Sequence, residues 1–129
     1  MEMKKLLESF NHAINGIIDA VRTQRNMKIH IVAAIGVLIA CFFFDISKAE
    51  FLSLAITITM VISAELVNTA VEAAVDLNTN YYHPLAKVAK NTAAGAVLVT
   101  AINALLVGYI VFWDKLSNFS YEVVYKIKH

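Results

Sequence analysis

Apolar and polar positions are arranged along this chain on two scales, one short and one long. Over the first two dozen residues, Leu6, Leu7, Phe10, Ile14, Ile17, Ile18 and Val21 recur at helical spacing, while Lys5, Glu8, His12, Asn15, Asp19 and Arg22 occupy the other side. This pattern predicts an amphipathic helix over about residues 4–24, too charged to cross a bilayer and suited to lie in its interface. Three long apolar runs follow. Ile29 to Phe44 is short against the about 20 residues that a span needs, but Met27 and the stem of Lys28 extend it, because lysine lifts its ammonium to the interface. Phe51 to Leu77 is longer, and Thr92 to Trp113 carries no charge at all. We therefore expect an all-α integral membrane protein with a surface helix and three transmembrane helices, over about 28–44, 50–77 and 91–113, in a single domain covering 1–129.

The second run breaks its own pattern. Phe51 to Ala64 is uncharged and nearly all apolar; then Glu65, Asn68, Glu72 and Asp76 arrive while the apolar background continues through Leu66, Val67, Ala70, Val71 and Ala74. At roughly 100° per residue the four polar groups fall within about 80° of arc, so they form one stripe. A charge at membrane depth costs several kcal/mol unless it is hydrated or paired, and such groups mark sites more often than not. The stripe must face a protein interior or a wet cleft, with the apolar residues opposite turned to lipid or to another helix.

Composition agrees with a membrane protein. The chain is 59% hydrophobic, with one proline and four glycines, too apolar for an ordinary soluble domain of its length. A formal charge of +1 gives no case for nucleic-acid binding. The single cysteine, Cys41, lies beside Phe42, Phe43 and Phe44 and reads as a small embedded side chain without redox or metal chemistry. No small-residue cleavage site ends the first apolar run, so we expect permanent membrane segments and no cleaved signal. Asn118-Phe119-Ser120 fits a glycosylation sequon, a pattern too short to carry weight.

Lys4, Lys5, Arg22, Arg25 and Lys28 precede the first span, and Lys87 and Lys90 lie between the second and third; the 45–50 connection has Lys48 against Asp45 and Glu50. Positive charge therefore places the N-terminus and the Leu77 to Asn91 connection in the cytoplasm, and the tail from Asp114 outside despite its lysines. On that topology Glu65 lies about two thirds of the way across the hydrocarbon, and Glu72 and Asp76 reach the cytoplasmic boundary. A stripe open to one side suits a reaction between a water-soluble reactant and a lipid head group. Phosphoryl transfer would use Glu65 on the attacking hydroxyl, Glu72 and Asp76 toward Mg²⁺, and Lys87, Lys90, Arg25 and Lys28 around phosphates. There is no Walker motif, and proton or cation movement fits the carboxylates almost as well. A relay, however, would stop halfway, since Phe51 to Ala64 and the outer halves of the first and third spans carry no Asp, Glu, His, Lys or Arg.

The words of the sequence narrow this. Ala64-ELVNTAVEAAVD-Leu77 followed by Tyr82-HPLAKVAKNTAAGAV-Leu98 resembles the prokaryotic diacylglycerol kinase and undecaprenol kinase family, with its E-x-x-N-x-x-x-E-x-x-x-D signature. The resemblance extends from the surface helix through R-T-Q-R-N-M-K-I-H to the third span. It implies a homotrimeric kinase of the bacterial inner membrane, N-terminus cytoplasmic and active sites shared between subunits, that transfers the γ-phosphoryl group of MgATP to a lipid hydroxyl. By the same resemblance Glu65 is the catalytic base and, with Asn68, supports the lipid substrate. Glu72 and Gln24 match metal-binding positions, and His12, Gln24, Glu72, Asp76, Tyr81, Tyr82, His83, Lys90 and Asn91 match nucleotide-binding ones. His83 before Pro84 has a second reading, as the residue that orders the turn.

Two positions depart from the family, which often has glutamate at Gln24 and aspartate at Asn91. An amide oxygen still coordinates Mg²⁺ but without the charge, and the change leaves open an inactive scaffold descended from a kinase. The wording around Tyr82 to Lys90 looks more like the undecaprenol branch, with diacylglycerol as the alternative acceptor.

Overall fold

The computed structural model describes residues 2–78 and 81–128 and contains four helices: α1 (Glu2–Thr23), α2 (Arg25–Phe43), α3 (Lys48–Asn78) and α4 (Pro84–Lys128). No strand occurs among the described residues. Parts of α2, α3 and α4 are long and apolar enough to cross a membrane.

Each break between helices has a local cause. Gln24 takes an extended conformation, φ −91° and ψ 121°, although its N–H still donates to the Ala20 carbonyl at 2.9 Å, so α1 and α2 meet at a single-residue corner. Phe44 ends α2 with φ −111° and ψ 148°. Ser47 then opens α3 through a reciprocal cap: its N–H donates to Glu50 Oε2 at 2.8 Å and its Oγ accepts the Glu50 N–H at 3.3 Å. Two of the orphan donors at the helix start are thereby satisfied. Pro84 begins α4 at a position where its missing N–H costs nothing, and His83 Nδ1 accepts the Leu85 N–H at 3.2 Å.

The helix bounds differ from the sequence reading at two places. The connection expected over Leu77 to Asn91 is much shorter, because α4 starts at Pro84, so Lys87, Lys90 and Asn91 lie on a helix and not in a loop. Beyond Asp114, where no element was expected, α4 continues to Lys128. At 45 residues and about 1.5 Å per residue it is more than twice as long as the roughly 30 Å of bilayer hydrocarbon.

Packing is dominated by α3 against α4, with α2 along α3 and α1 touching the α2 and α3 side. The buried positions of α3 are Leu54, Thr57, Val61, Glu65 and Asn68, a stripe at helical spacing, and Val97 and Val111 of α4 and Met27 of α2 are buried as well. The carboxylate stripe is thus the continuation of the apolar seam. At the far end of the seam Phe44 meets Phe112 and Phe119 edge-on, with centroids 5.9 and 6.4 Å apart. There Lys115 Nζ donates to the Asp45 carbonyl at 2.8 Å and pairs with Glu50 at 3.2 Å. This contact ties the α2–α3 connection to α4. Most of the large apolar side chains on the outer faces, among them Val32, Ile56, Leu98 and Leu105, are exposed, as a lipid-facing surface requires.

Candidate active site

Because the seam of α3 runs in one register from Leu54 to Asn68, the first two polar groups of the stripe are buried between helices. Glu65 is 1% exposed and Asn68 5% exposed. Glu72 is partly exposed and Asp76 exposed, so the stripe climbs from the interior to the surface toward the end of α3. Glu72 Oε1 accepts a hydrogen bond from Asn68 Nδ2 at 3.0 Å, one helical turn apart. The amide is held so that its oxygen is left over. Asn68 Oδ1 and Glu65 Oε2 are both buried and have no hydrogen-bond partner among the described residues. A buried polar oxygen without a partner costs on the order of 1–3 kcal/mol, and two of them close together are explained most directly by something that binds there.

They face a cleft of about 310 Å³ between α2, α3 and α4, lined by Asn26, His30, Glu65, Asn68, Glu72 and the small residues Ala94 and Ala101. The alanines make the room. Asn26 and His30, which were not singled out from the sequence, line the same cleft as Glu65. Their signal was available only weakly, as two polar residues four apart at the start of a helix that also carries Arg25 and Lys28 there.

A second cleft of about 280 Å³ adjoins the upper end of the stripe, bounded by Asp76, Tyr81, Tyr82, His83, Lys87, Lys90 and Asn91. Lys90 Nζ forms an ion pair with Asp76, and Tyr81 lies edge-on to His83 with centroids 6.5 Å apart. His83 spends Nδ1 on capping α4, so it orders the turn as well as lining the cleft. Asp76 follows Glu72 by one turn of α3, about 6 Å along the axis, which makes the two clefts neighbours. One is rich in oxygen acceptors and semi-buried; the other presents two lysines, two tyrosines and a histidine at the surface.

The structure therefore brings together Glu65, Asn68 and Glu72 in one cleft, and Asp76, Tyr81, Tyr82, His83, Lys90 and Asn91 in the other. It does not bring His12 or Gln24 to either. His12 is exposed on α1, and Gln24 at the α1–α2 corner donates from Nε2 to Thr23 Oγ1 at 3.5 Å. Arg25 and Lys28 also line neither cleft.

The donor chemistry suits a hard cation. Among the described residues no three His, Cys, Asp or Glu side chains converge on one point, so a cation held in this cleft would have one or two carboxylates from the chain and would need the rest of its ligands from elsewhere, a donor set compatible with Mg²⁺. The two unpartnered buried oxygens are of the type it requires.

Residues 11–112 match the family described as prokaryotic diacylglycerol kinase. The chain belongs to that family. Its similarity to the undecaprenol kinase of Bacillus subtilis (strain 168) is 44% identity over 115 residues, 89% of this chain and 94% of that protein. The diacylglycerol kinase of Synechocystis is also 44% identical, over 104 residues that make up 80% of this chain but 59% of the longer relative. For the diacylglycerol kinase of Escherichia coli (strain K12) the identity is 32% over 80 residues, 62% of this chain and 65% of that protein. The family is one of lipid kinases, and both clefts lie within the matched region. The end of α4, beyond residue 112, lies outside it.

Proposed function

We propose that this protein is a membrane lipid kinase that transfers the γ-phosphoryl group of MgATP to the hydroxyl of a lipid alcohol, with undecaprenol as the favoured acceptor. The observation that carries the reading is the Glu65 carboxylate, buried in a cleft with an oxygen left unpaired. A carboxylate so placed accepts a hydrogen bond from an incoming hydroxyl and takes its proton as the oxygen attacks phosphorus. The new bond joins the lipid oxygen to the γ-phosphorus, the bond to the bridging oxygen breaks, and ADP leaves with the released electron pair.

Residue by residue, Glu65 is the base. Asn68 holds Glu72 in place through the bond from its amide. Glu72 and the Asn68 carbonyl oxygen would hold Mg²⁺, which when bound offsets the charge of the β- and γ-phosphates. Lys87 and Lys90 attract the polyphosphate to the outer cleft, Tyr81 and Tyr82 offer faces for the base, and Asn91 and Asp76 supply polar edges. The Lys90–Asp76 ion pair keeps the lysine extended over the cleft before phosphate competes for it. His12 and Gln24, which line neither cleft, are read as contributions to a neighbouring subunit's site in a homotrimer of the inner membrane, N-terminus in the cytoplasm.

Undecaprenol is favoured over diacylglycerol because the match to the B. subtilis undecaprenol kinase extends over 94% of that protein. The test is direct: purified protein in mixed micelles with MgATP, offered undecaprenol and diacylglycerol in parallel. Phosphorylation of undecaprenol with the higher kcat/KM supports the reading; phosphorylation of neither ends it.

A further inference from the structure

The polar cleft does not stop at Glu65. Below it lies a cavity of about 260 Å³ between the same three helices, lined by residues that include Ala33, Ala34, Val61, Ala101 and Ala104, and it shares His30 and Ala101 with the cleft above. The register is the same on every helix: Asn26 and His30 lead to Ala34 on α2, Glu72, Asn68 and Glu65 lead to Val61 on α3, and Ala94 and Val97 lead to Ala101 and Ala104 on α4. The two spaces form one trough, with oxygen acceptors at one end and hydrocarbon at the other. Every side chain lining the lower part other than His30 is aliphatic.

We propose, resting on the lipid-kinase reading, that the lower trough seats the first segment of the acceptor's chain and selects an alcohol that is hydrocarbon from the carbon beside its hydroxyl, a polyprenol, over a glycerolipid. With its hydroxyl at Glu65, a polyprenol places only carbon and hydrogen against Val61, Ala34 and Ala104. A diacylglycerol in the same pose carries two ester groups within a few atoms of the hydroxyl. Below His30 their carbonyls enter a space whose side-chain walls are wholly aliphatic and offer no donor, and losing water without replacement weakens binding by about tenfold or more. The alanines at 33, 34, 101 and 104 set the width, since a larger side chain at any of them would occupy the trough.

The full chain in detergent micelles with MgATP, offered a long polyprenol and a diacylglycerol separately, reads the preference as a ratio of kcat/KM. Two variants probe the trough. Ala104→Leu fills its far end, away from Glu65, and should lower kcat/KM for the polyprenol by about tenfold while KM for MgATP changes by less than about twofold. Val61→Thr keeps the shape and adds a hydroxyl below Glu65, and should narrow the preference by favouring the ester carbonyl. If Ala104→Leu fails to fold, Val61→Thr decides alone. A wild type that phosphorylates no alcohol defeats the lipid-kinase reading itself. A wild type that phosphorylates diacylglycerol as well as the polyprenol leaves that reading standing and overturns the trough. So does Ala104→Leu if it leaves polyprenol kinetics unchanged, or if it dissociates the protein into smaller species, which would make the trough the seat of a neighbouring copy.

Discussion

Glu72 and Asn68 form a unit, because the Asn68 amide donates to the Glu72 carboxylate at 3.0 Å, one helical turn away. Glu72→Gln keeps the size but removes the charge and sets two amides against each other. Metal and nucleotide should weaken together, with kcat/KM for MgATP down by about 10² and the half-saturating Mg²⁺ concentration raised. Mg²⁺ titration of the rate at fixed ATP checks this, and a curve superimposable on wild type would move the metal role to Asp76. Gln24 poses the opposite case, an amide where the family often has a carboxylate. If a neighbouring subunit brings it to the metal, Gln24→Glu should lower the half-saturating Mg²⁺ concentration several-fold, since a full negative charge replaces a dipole. An unchanged titration would remove Gln24 from the metal shell, as its corner position and its bond to Thr23 in the single chain would then lead one to expect.

The cap at the start of α3 can be tested independently of chemistry. Ser47 and Glu50 exchange two hydrogen bonds at the helix start, and both are at the opposite end of the seam from Glu72. Ser47→Ala should cost about 1 kcal/mol, seen as a lower thermal midpoint, with kinetics of phosphoryl transfer unchanged; altered kcat would mean that the start of α3 communicates with the site. The helices themselves were legible from apolar runs because a bilayer demands long uninterrupted hydrocarbon. The start of α4 was not, since Lys87 and Lys90 look like a loop when charge is read as a boundary, whereas Pro84 and the His83 cap set the boundary locally. The extension past Asp114 was missed for the same reason: the polar residues there end the apolar run, although nothing among them breaks a helix. Within the site, Glu65, Asn68 and Glu72 were legible through the 3.6-residue period of a single helix. His30 was not, because its place beside Glu65 depends on how α2 packs against α3, which no local pattern states.

At the scale of the molecule, much apolar surface on α2, α3 and α4 is exposed in the single chain, and lipid or neighbouring copies must cover it. If the homotrimer is correct, sedimentation equilibrium in density-matched detergent should return three times the 14.2 kDa chain mass; a monomer that retains full activity would return His12 and Gln24 to a non-catalytic surface. The proposed activity depends on Glu65 acting as the base for a lipid hydroxyl. Its most direct test is transfer of labelled γ-phosphoryl from MgATP to undecaprenol, measured for the wild type and for Glu65→Gln under conditions where both bind ATP. The wild type should label the lipid, and Glu65→Gln, which keeps the shape and loses the proton acceptor, should do so slower by a factor of about 10² to 10⁴ with ATP affinity little changed. Labelling by Glu65→Gln at a near-normal rate would contradict the assignment.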